Sequence, residues 1–258
     1  MSELVGGRRP VAEALASGRR AERLILGANS RRPNPELRSI ITEARRRGIP
    51  VEERDSGTLQ RLAGFDGHQG VLLEVADRRY SDLAEIVALA VRRNAEPLVI
   101  VLDSLQDPVN FGSLLRAAEA AGVHGVVFPE RGAAPLSPAA VKASAGASEH
   151  LLLARVESLS ASLDELRARN VRIVAADQDA TATAWETDLS GAVAVVVGAE
   201  GAGLSAGTRR RCDELVRFPM AGAIGSLNAA TAGALLVFEV VRQRSGAARA
   251  LESAPAPT

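Results

Sequence analysis

The sequence is poor in the residues that build disulfides, metal sites and membrane spans. Cys212 is the only cysteine, which excludes an internal disulfide and a cysteine-built zinc site. The three histidines, His68, His124 and His150, lack metal-ligand spacing, so we expect no metal. No apolar run approaches the ~18 residues that cross a bilayer, and the first residues lack the apolar core of a signal peptide. We therefore expect a cytoplasmic protein with no membrane partner.

Aromatic residues and net charge are also low. Aromatics make up 3% of the chain, so a stacking platform for single-stranded RNA is not expected. The formal net charge is zero, whereas phosphate contacts require cations. Of the 31 basic residues, however, all but Lys142 are arginine, whose planar fork suits phosphates and base edges. Several arginines are clustered, and codon bias or solvated helix faces explain any single cluster better than RNA contact does.

Short apolar runs alternate with helical patterns along a chain that is 47% apolar, which is typical of α/β architecture. Residues 1–76 predict a small separate domain. It has helices at 10–17, 35–47 and 58–63 and strands at 23–26, 49–53 and 70–75. Residues 77–97 predict a linker that carries one helix, with Ser81 as its N-cap and Pro97 at its end.

A second domain is predicted over residues 98–246, because uninterrupted apolar runs there are typical of parallel strands covered on both faces. Strands are predicted at 98–102, 123–128, 151–156, 171–176, 192–197 and 215–218. Helices are predicted at 111–121, 138–148, 159–168, 205–212 and 227–244. This order predicts a doubly wound parallel sheet, whose ligands bind beyond the carboxyl ends of the strands. Residues 247–258 predict a disordered tail.

Three segments after predicted strands carry unusual polar residues. In the first, Asn110 stands where a helix N-cap is expected, and Arg116 follows inside an otherwise apolar helix. In the second, three glycines surround Glu200 directly after a buried strand, which is hard to explain by packing. In the third, a glycine-containing loop leads to Ser226 and Asn228. Each segment also has a structural explanation. The first could be a helix cap followed by an arginine that reaches solvent, the second a glycine turn, and the third another helix cap. Only Glu200 favours a functional role by itself.

Together, the motifs N-x-G-x-x-x-R, V-x-G-x-E-G-x-G-x-S and P-M-x-x-x-x-x-S-L-N resemble the SpoU (TrmH) family of RNA ribose 2′-O-methyltransferases in the SPOUT superfamily. The resemblance covers about residues 98–244. The N-terminal part resembles the family's substrate-binding extension of ribosomal-protein L30e type. The resemblance implies a deep trefoil knot, a homodimer, S-adenosylmethionine as methyl donor and an RNA substrate. The members that methylate a guanosine of 23S rRNA are the most similar ones.

The resemblance also implies roles for ten residues. The cofactor pocket would be lined by Ala176, Gly198, Phe218, Met220 and Leu227. The reacting ribose would be served by Asn110, Arg116, Glu200, Ser226 and Asn228. A guanidinium keeps its proton in proteins. We therefore expect Arg116 mainly to position the phosphate and the 2′-oxygen and to stabilise alkoxide charge, and only secondarily to act as a base. The two asparagines would orient Arg116 or the ribose, Glu200 would hold Arg116 or a neighbour, and Ser226 would complete the hydrogen bonds.

One position departs from the family pattern, because Ala230 replaces the serine of S-L-N-x-S. Three other functions stay open. A tRNA methyltransferase or an rRNA methyltransferase that confers antibiotic resistance would share these motifs. A catalytically silent RNA-binding adaptor is disfavoured by the intact polar residues. A nucleotide-dependent oxidoreductase is disfavoured because no G-x-G-x-x-G follows any strand.

Overall fold

The computed structural model describes residues 2–28, 34–223 and 225–253, with side chains up to residue 246. The N-terminal domain contains β1 (Ser2–Gly6), α1 (Arg8–Ala16), β2 (Ala21–Gly27), α2 (Pro35–Arg46), β3 (Val51–Arg54), α3 (Ser56–Ala63) and β4 (Val71–Ala76). Its sheet has the order β1-β4-β2-β3, with β1 and β2 antiparallel to β4 and β3 parallel to β2. The predicted helices and strands are confirmed to within a few residues, whereas β1 was not predicted.

The predicted linker carries helix α4 (Leu83–Arg92), which packs on the second domain. The Ser81 N-cap is wrong. The carboxylate of Asp82 accepts the Glu85 backbone N–H at 2.7 Å, and the Glu85 side chain returns to the Asp82 N–H, which forms a complete capping box. Ile86 is fully buried against Gly125, where a Cβ would lie 2.5 Å from an Ile86 carbon. The α4 segment is therefore an integral layer of the second domain.

The second domain is a seven-stranded sheet in which every neighbouring pair is parallel. Its elements are β5 (Leu98–Leu102), α5 (Pro108–Ala120), β6 (Gly125–Pro129), α6 (Pro138–Ala143), β7 (Leu152–Val156), α7 (Leu159–Ala168), β8 (Arg172–Ala176), β9 (Ala182–Thr183), β10 (Val193–Val197), α8 (Ala206–Arg209), β11 (Glu214–Arg217) and α9 (Ala229–Ser253). The strand order is β7-β6-β5-β10-β8-β11-β9. The α/β class and the parallel sheet are confirmed, and β9 is an additional two-residue strand.

Three predicted helices differ from the observed ones. The helix predicted at 205–212 is observed only over Ala206–Arg209. The helix predicted at 138–148 ends at Ala143, because Ala145 and Gly146 adopt positive φ, and a short 3-10 helix (Ala147–Glu149) follows. The last helix, α9, continues to Ser253, seven residues into the predicted disordered tail. The remaining tail, residues 254–258, lies outside the described residues.

Helix α5 shows how the core orients the site. Phe111, Leu114, Leu115 and Ala118 are buried, a helical spacing that turns one face towards the sheet. Gly112 lies against α6, where a Cβ would be 2.3 Å from the Ala140 carbonyl oxygen. The opposite face of α5 is exposed and carries Arg116.

Candidate active site

The site lies at the carboxyl ends of four adjacent strands, β5, β10, β8 and β11. The chain continues from these ends into loops at residues 103–107, 198–205 and 177–181, and at 218–223 and 225–228. Parallel strands place all four loops at one edge of the sheet, where ligands of such sheets bind. The three motif segments are thus brought together, as the sequence predicts.

The loop after β10 is a tight return of the backbone. Ala199 and Gly203 form an antiparallel bridge, with backbone hydrogen bonds of 2.9 Å in both directions. A Cβ on Gly198 would lie 2.5 Å from the carbonyl carbon of Gly203, so no other residue fits there without moving the loop. Gly201 and Gly203 have positive φ, which favours glycine. The glycines therefore shape a loop that presents Glu200 at its tip.

A cavity of about 680 Å³ opens between these loops. All five residues predicted for the cofactor line it, together with Glu200, Ser226 and Asn228. Its size is within the usual range for small-molecule sites. Backbone of the glycine loop and the side chains of Phe218, Met220 and Leu227 give it mixed polar and apolar walls.

Three of the predicted catalytic residues form one hydrogen-bonded cluster. The Asn110 amide donates to Glu200 Oε1 at 2.7 Å, and the Asn228 amide donates to the same oxygen. Asn228 Nδ2 also lies 3.1 Å from Asn110 Oδ1. Asn228 caps α9 as well, since its Oδ1 accepts the Thr231 backbone N–H at 3.1 Å. The residues are 118 positions apart in sequence, so only the fold could assemble them.

Asn110 is not the N-cap of α5. Asp107 takes that position, and its carboxylate accepts the Val109 N–H at 2.9 Å. Pro108 occupies the first helical position, so Asn110 lies three residues after the N-cap. From there its amide donates a hydrogen bond to Glu200. The cap prediction was wrong: the Asn110 side chain does not cap α5 and instead contacts Glu200.

Arg116 and Ser226 differ from this cluster. Arg116 is exposed on α5 and makes no hydrogen bond or ion pair with any described residue, so Glu200 does not hold it. Ser226 is exposed at the cavity wall and likewise has no hydrogen-bond partner within the described part of the chain. Glu200 instead holds the two neighbouring amides, which is the second of the two roles expected for it.

Asp103 is a site residue that the sequence patterns did not single out. It is 3% exposed at the end of β5, and its Oδ2 accepts the backbone N–H of Ser205 at 2.7 Å. This contact fastens the end of the glycine loop to β5. A buried acidic residue directly after an apolar strand was the available signal, because a buried carboxylate requires a partner.

Two further positions have structural explanations. Ala230 is buried in the main core, where a serine hydroxyl would have to find a hydrogen-bond partner. His124 is also buried, and its Nδ1 accepts the Leu98 backbone N–H at 3.0 Å. Burial, with the nearby charges of Arg93 and Arg244, lowers the pKa of the His124 imidazole.

Family models match both domains. Residues 97–238 match the SpoU rRNA Methylase family, and residues 4–81 match the RNA 2′-O ribose methyltransferase substrate-binding domain. The chain belongs to the SpoU rRNA methylase family. It is therefore an S-adenosylmethionine-dependent RNA 2′-O-methyltransferase.

Relatives are similar over nearly the whole chain. The 23S rRNA (guanosine-2′-O-)-methyltransferase RlmB of Pasteurella multocida is 37% identical and covers 95% of this chain and 99% of its own. A TrmH-family tRNA/rRNA methyltransferase of Bacillus subtilis is 35% identical, with coverage of 94% and 96%. The SpoU methyltransferase AviRb of Streptomyces viridochromogenes, solved with AdoMet, is 28% identical with a TM-score of 0.79, over 95% and 91% of the chains.

Metal and membrane features are absent from the described ranges. Residues 2–28, 34–223 and 225–253 contain no cluster of histidine, cysteine and acidic side chains that could hold a metal ion. Over the same ranges, no helix has the length and apolar character to cross a membrane.

Proposed function

We propose that this SpoU methyltransferase methylates the ribose 2′-hydroxyl of a guanosine in 23S rRNA. The observation that carries the proposal is the cluster of Asn110, Glu200 and Asn228 at the cavity that the cofactor residues line. The 37% identity to an RlmB over almost the entire length of both chains supports the substrate. A cytoplasmic location agrees with an rRNA substrate.

We assign the methyl donor to the 680 Å³ cavity. Bound there, S-adenosylmethionine supplies an electrophilic methyl group. The glycine loop closes one wall with backbone, and Phe218, Met220 and Leu227 contribute apolar surface, while Ala176 marks the end of β8. Arg209 and Arg217 also line the cavity, so the positively charged sulfonium would lie against the carbonyl oxygens and apolar groups, which do not repel it. We also propose that the chain around this cavity forms the deep trefoil knot of the family.

On the acceptor side, Glu200 keeps both asparagine amides in one orientation, so that their remaining polar atoms can meet a ribose. Arg116 is exposed and lacks an ion-pair partner among the described residues, which leaves its fork available to an RNA phosphate and the 2′-oxygen. Preorganised donors at the oxygen that develops negative charge stabilise the transition state. Ser226 stands at the cavity wall as a further donor.

We propose that the active form is a homodimer whose interface includes the exposed apolar face of α5 and α9. Val109, Leu235 and Phe238 are 56%, 41% and 46% exposed, although they are large and apolar. Leu235 and Phe238 line a second groove, of about 470 Å³, that begins at Asn110 and Asn228. A second copy on this face would therefore lie beside the catalytic cluster and cover surface that water otherwise contacts.

The dimer is tested with Phe238→Asp, measured by sedimentation velocity. A charge in an apolar interface should convert the protein to monomers and reduce methyl transfer. The matched control is Val91→Asp, since Val91 is also exposed but lies on α4. A Phe238→Asp protein that stays dimeric would contradict the proposed interface.

The substrate is tested with unmodified transcripts of 23S rRNA, 16S rRNA and tRNA, labelled S-adenosylmethionine and purified protein. We expect label in 23S rRNA as a 2′-O-methylguanosine. Label in tRNA alone would support the tRNA enzyme of the same family. Cofactor binding without transfer to any RNA would support a silent RNA-binding adaptor and overturn the proposal.

A further inference from the structure

The junction between the substrate-binding domain and the methyltransferase domain is closely packed. Val141, on α6 of the methyltransferase domain, is buried in the hydrophobic core of the N-terminal domain. Gly146 lies against Glu13 of α1, where a Cβ would be 2.3 Å from the Glu13 side chain. The Glu13 carboxylate also contacts His150 at 2.9 Å. The segment at residues 138–150 therefore serves as a platform on which the N-terminal domain rests.

A buried charge cluster lies at the centre of this junction. Glu149, in the 3-10 helix of the platform, has a side chain that is only 2% exposed. Its Oε1 accepts a hydrogen bond from Arg78 and lies 3.4 Å from Arg19 Nη1. The two arginine side chains are 11% and 12% exposed, so all three charges are largely shielded from water. Buried charges of this kind are tolerated only when they are paired in a defined geometry.

The same cluster connects four separate parts of the chain. Arg19 follows α1, and its guanidinium also donates to the Ala76 carbonyl at 2.7 Å and pairs with Glu3 of β1. Arg78 lies in the linker, and its second nitrogen donates to the Ser148 carbonyl at 2.7 Å. Glu149 is thus the one carboxylate that both arginines share across the junction, within the described residues.

We propose that Glu149 is a specificity-determining residue, because its pairing with Arg19 and Arg78 holds the substrate-binding domain in one orientation relative to the methyl-transfer cavity. With that orientation fixed, RNA held by the N-terminal domain presents one nucleotide to the cavity, and its neighbours are out of reach. This inference rests on the proposed function, since it concerns the choice of nucleotide in the same RNA. Glu149 acts through domain position and touches neither the cofactor nor the ribose.

The test compares the dimeric wild-type enzyme with Glu149→Gln, which keeps the shape of the side chain and removes its charge. The matched control is Glu165→Gln, because Glu165 pairs with Arg169 at 2.8 Å on an exposed face of α7. Small-angle X-ray scattering reports domain orientation, sequencing maps the methylated nucleotides, and calorimetry measures the Kd for S-adenosylmethionine.

For Glu149→Gln we expect a larger radius of gyration, methylation that spreads to neighbouring nucleotides, and an unchanged Kd for S-adenosylmethionine. The control should match the wild type in all three. A variant with wild-type scattering and wild-type methylation positions would overturn the proposal. If no RNA is methylated even by the wild type, the proposed function fails, and the scattering still decides whether Glu149 holds the domains together.

A second pair of variants covers the case in which Glu149→Gln does not fold. Arg78→Gln changes a linker residue outside every helix and strand, and Arg79→Gln changes its neighbour, whose side chain is 83% exposed. We expect spreading of the methylated positions for Arg78→Gln and none for Arg79→Gln. Equal behaviour of the two variants would contradict the role of the cluster.

Discussion

The two halves of the active site differ in how complete they are within one chain. The proposed cofactor half is the cavity that opens between the loops of four adjacent strands, and all five residues predicted for the cofactor line it. The acceptor half contains a finished polar cluster, but Arg116 and Ser226 are exposed and make no hydrogen bond to the described residues. From this difference we propose that the cavity of one chain holds the methyl donor, and that RNA and the second subunit of the proposed homodimer complete the acceptor side.

Replacing Arg116 by alanine should have the largest effect, and it should affect methyl transfer without affecting cofactor binding. We propose that the guanidinium stabilises charge that develops on the 2′-oxygen, so kcat should fall by about 100- to 1000-fold. The Kd for S-adenosylmethionine should not change, since Arg116 does not line the cavity. Single-turnover transfer and calorimetry measure the two quantities, and unchanged transfer would remove Arg116 from the site.

Glu200→Ala should have the next largest effect, because it leaves the amides of Asn110 and Asn228 without their shared acceptor. Loss of hydrogen bonds to a charged group predicts a decrease in kcat of roughly 30-fold. Glu200→Gln keeps an acceptor oxygen and should recover part of the rate. An equal loss in both variants would show that the charge of Glu200, and not its hydrogen bonds, matters.

Gly198→Ala should act on the other half. The added Cβ would lie 2.5 Å from the Gly203 backbone and must displace the glycine loop. We expect roughly tenfold weaker binding of S-adenosylmethionine, with kcat at saturating cofactor affected less. Gly191→Ala, where a Cβ meets no atom within 4 Å, is the control. Wild-type affinity in Gly198→Ala would contradict the tight return of this loop.

The smallest expected effect concerns the pH dependence of stability at His124, which lies in neither half of the active site. Burial lowers the pKa of His124 below its ordinary value of 6.5, so the unfolded chain takes up this proton first as the pH falls. The free energy of unfolding should therefore decrease as the pH falls below about 6.5. His124→Asn should reduce this dependence in urea unfolding, and an identical pH profile in both proteins would exclude His124 as its source.

Local pattern in the sequence was enough to predict most of the fold. The apolar run at Leu98–Leu102 was predicted to the residue because a doubly covered parallel strand leaves little freedom in composition. The short strand β9 and the edge strand β1 were not predicted, since neither carries a continuous apolar run. Asp107 took the cap position expected for Asn110, because Pro108 favours the first helical position after it.

The site was predictable only in part. The order of the three motifs indicated Asn110, Glu200 and Asn228, and the structure brings them within hydrogen-bond distance of one another. The catalytic and cofactor roles themselves stay predictions. Asp103 and Glu149 were missed, because their partners lie 102 and up to 130 positions away in the chain. Such pairs leave no periodic pattern that a single sequence can reveal.

Methylation of 23S rRNA by this protein is tested most directly by mapping 2′-O-methylation across rRNA and tRNA in cells that lack the gene. We predict that one guanosine of 23S rRNA loses its 2′-O-methyl group, and that a plasmid copy restores it while an Arg116→Ala copy does not. An unchanged 23S rRNA map, or a loss confined to tRNA, would contradict it.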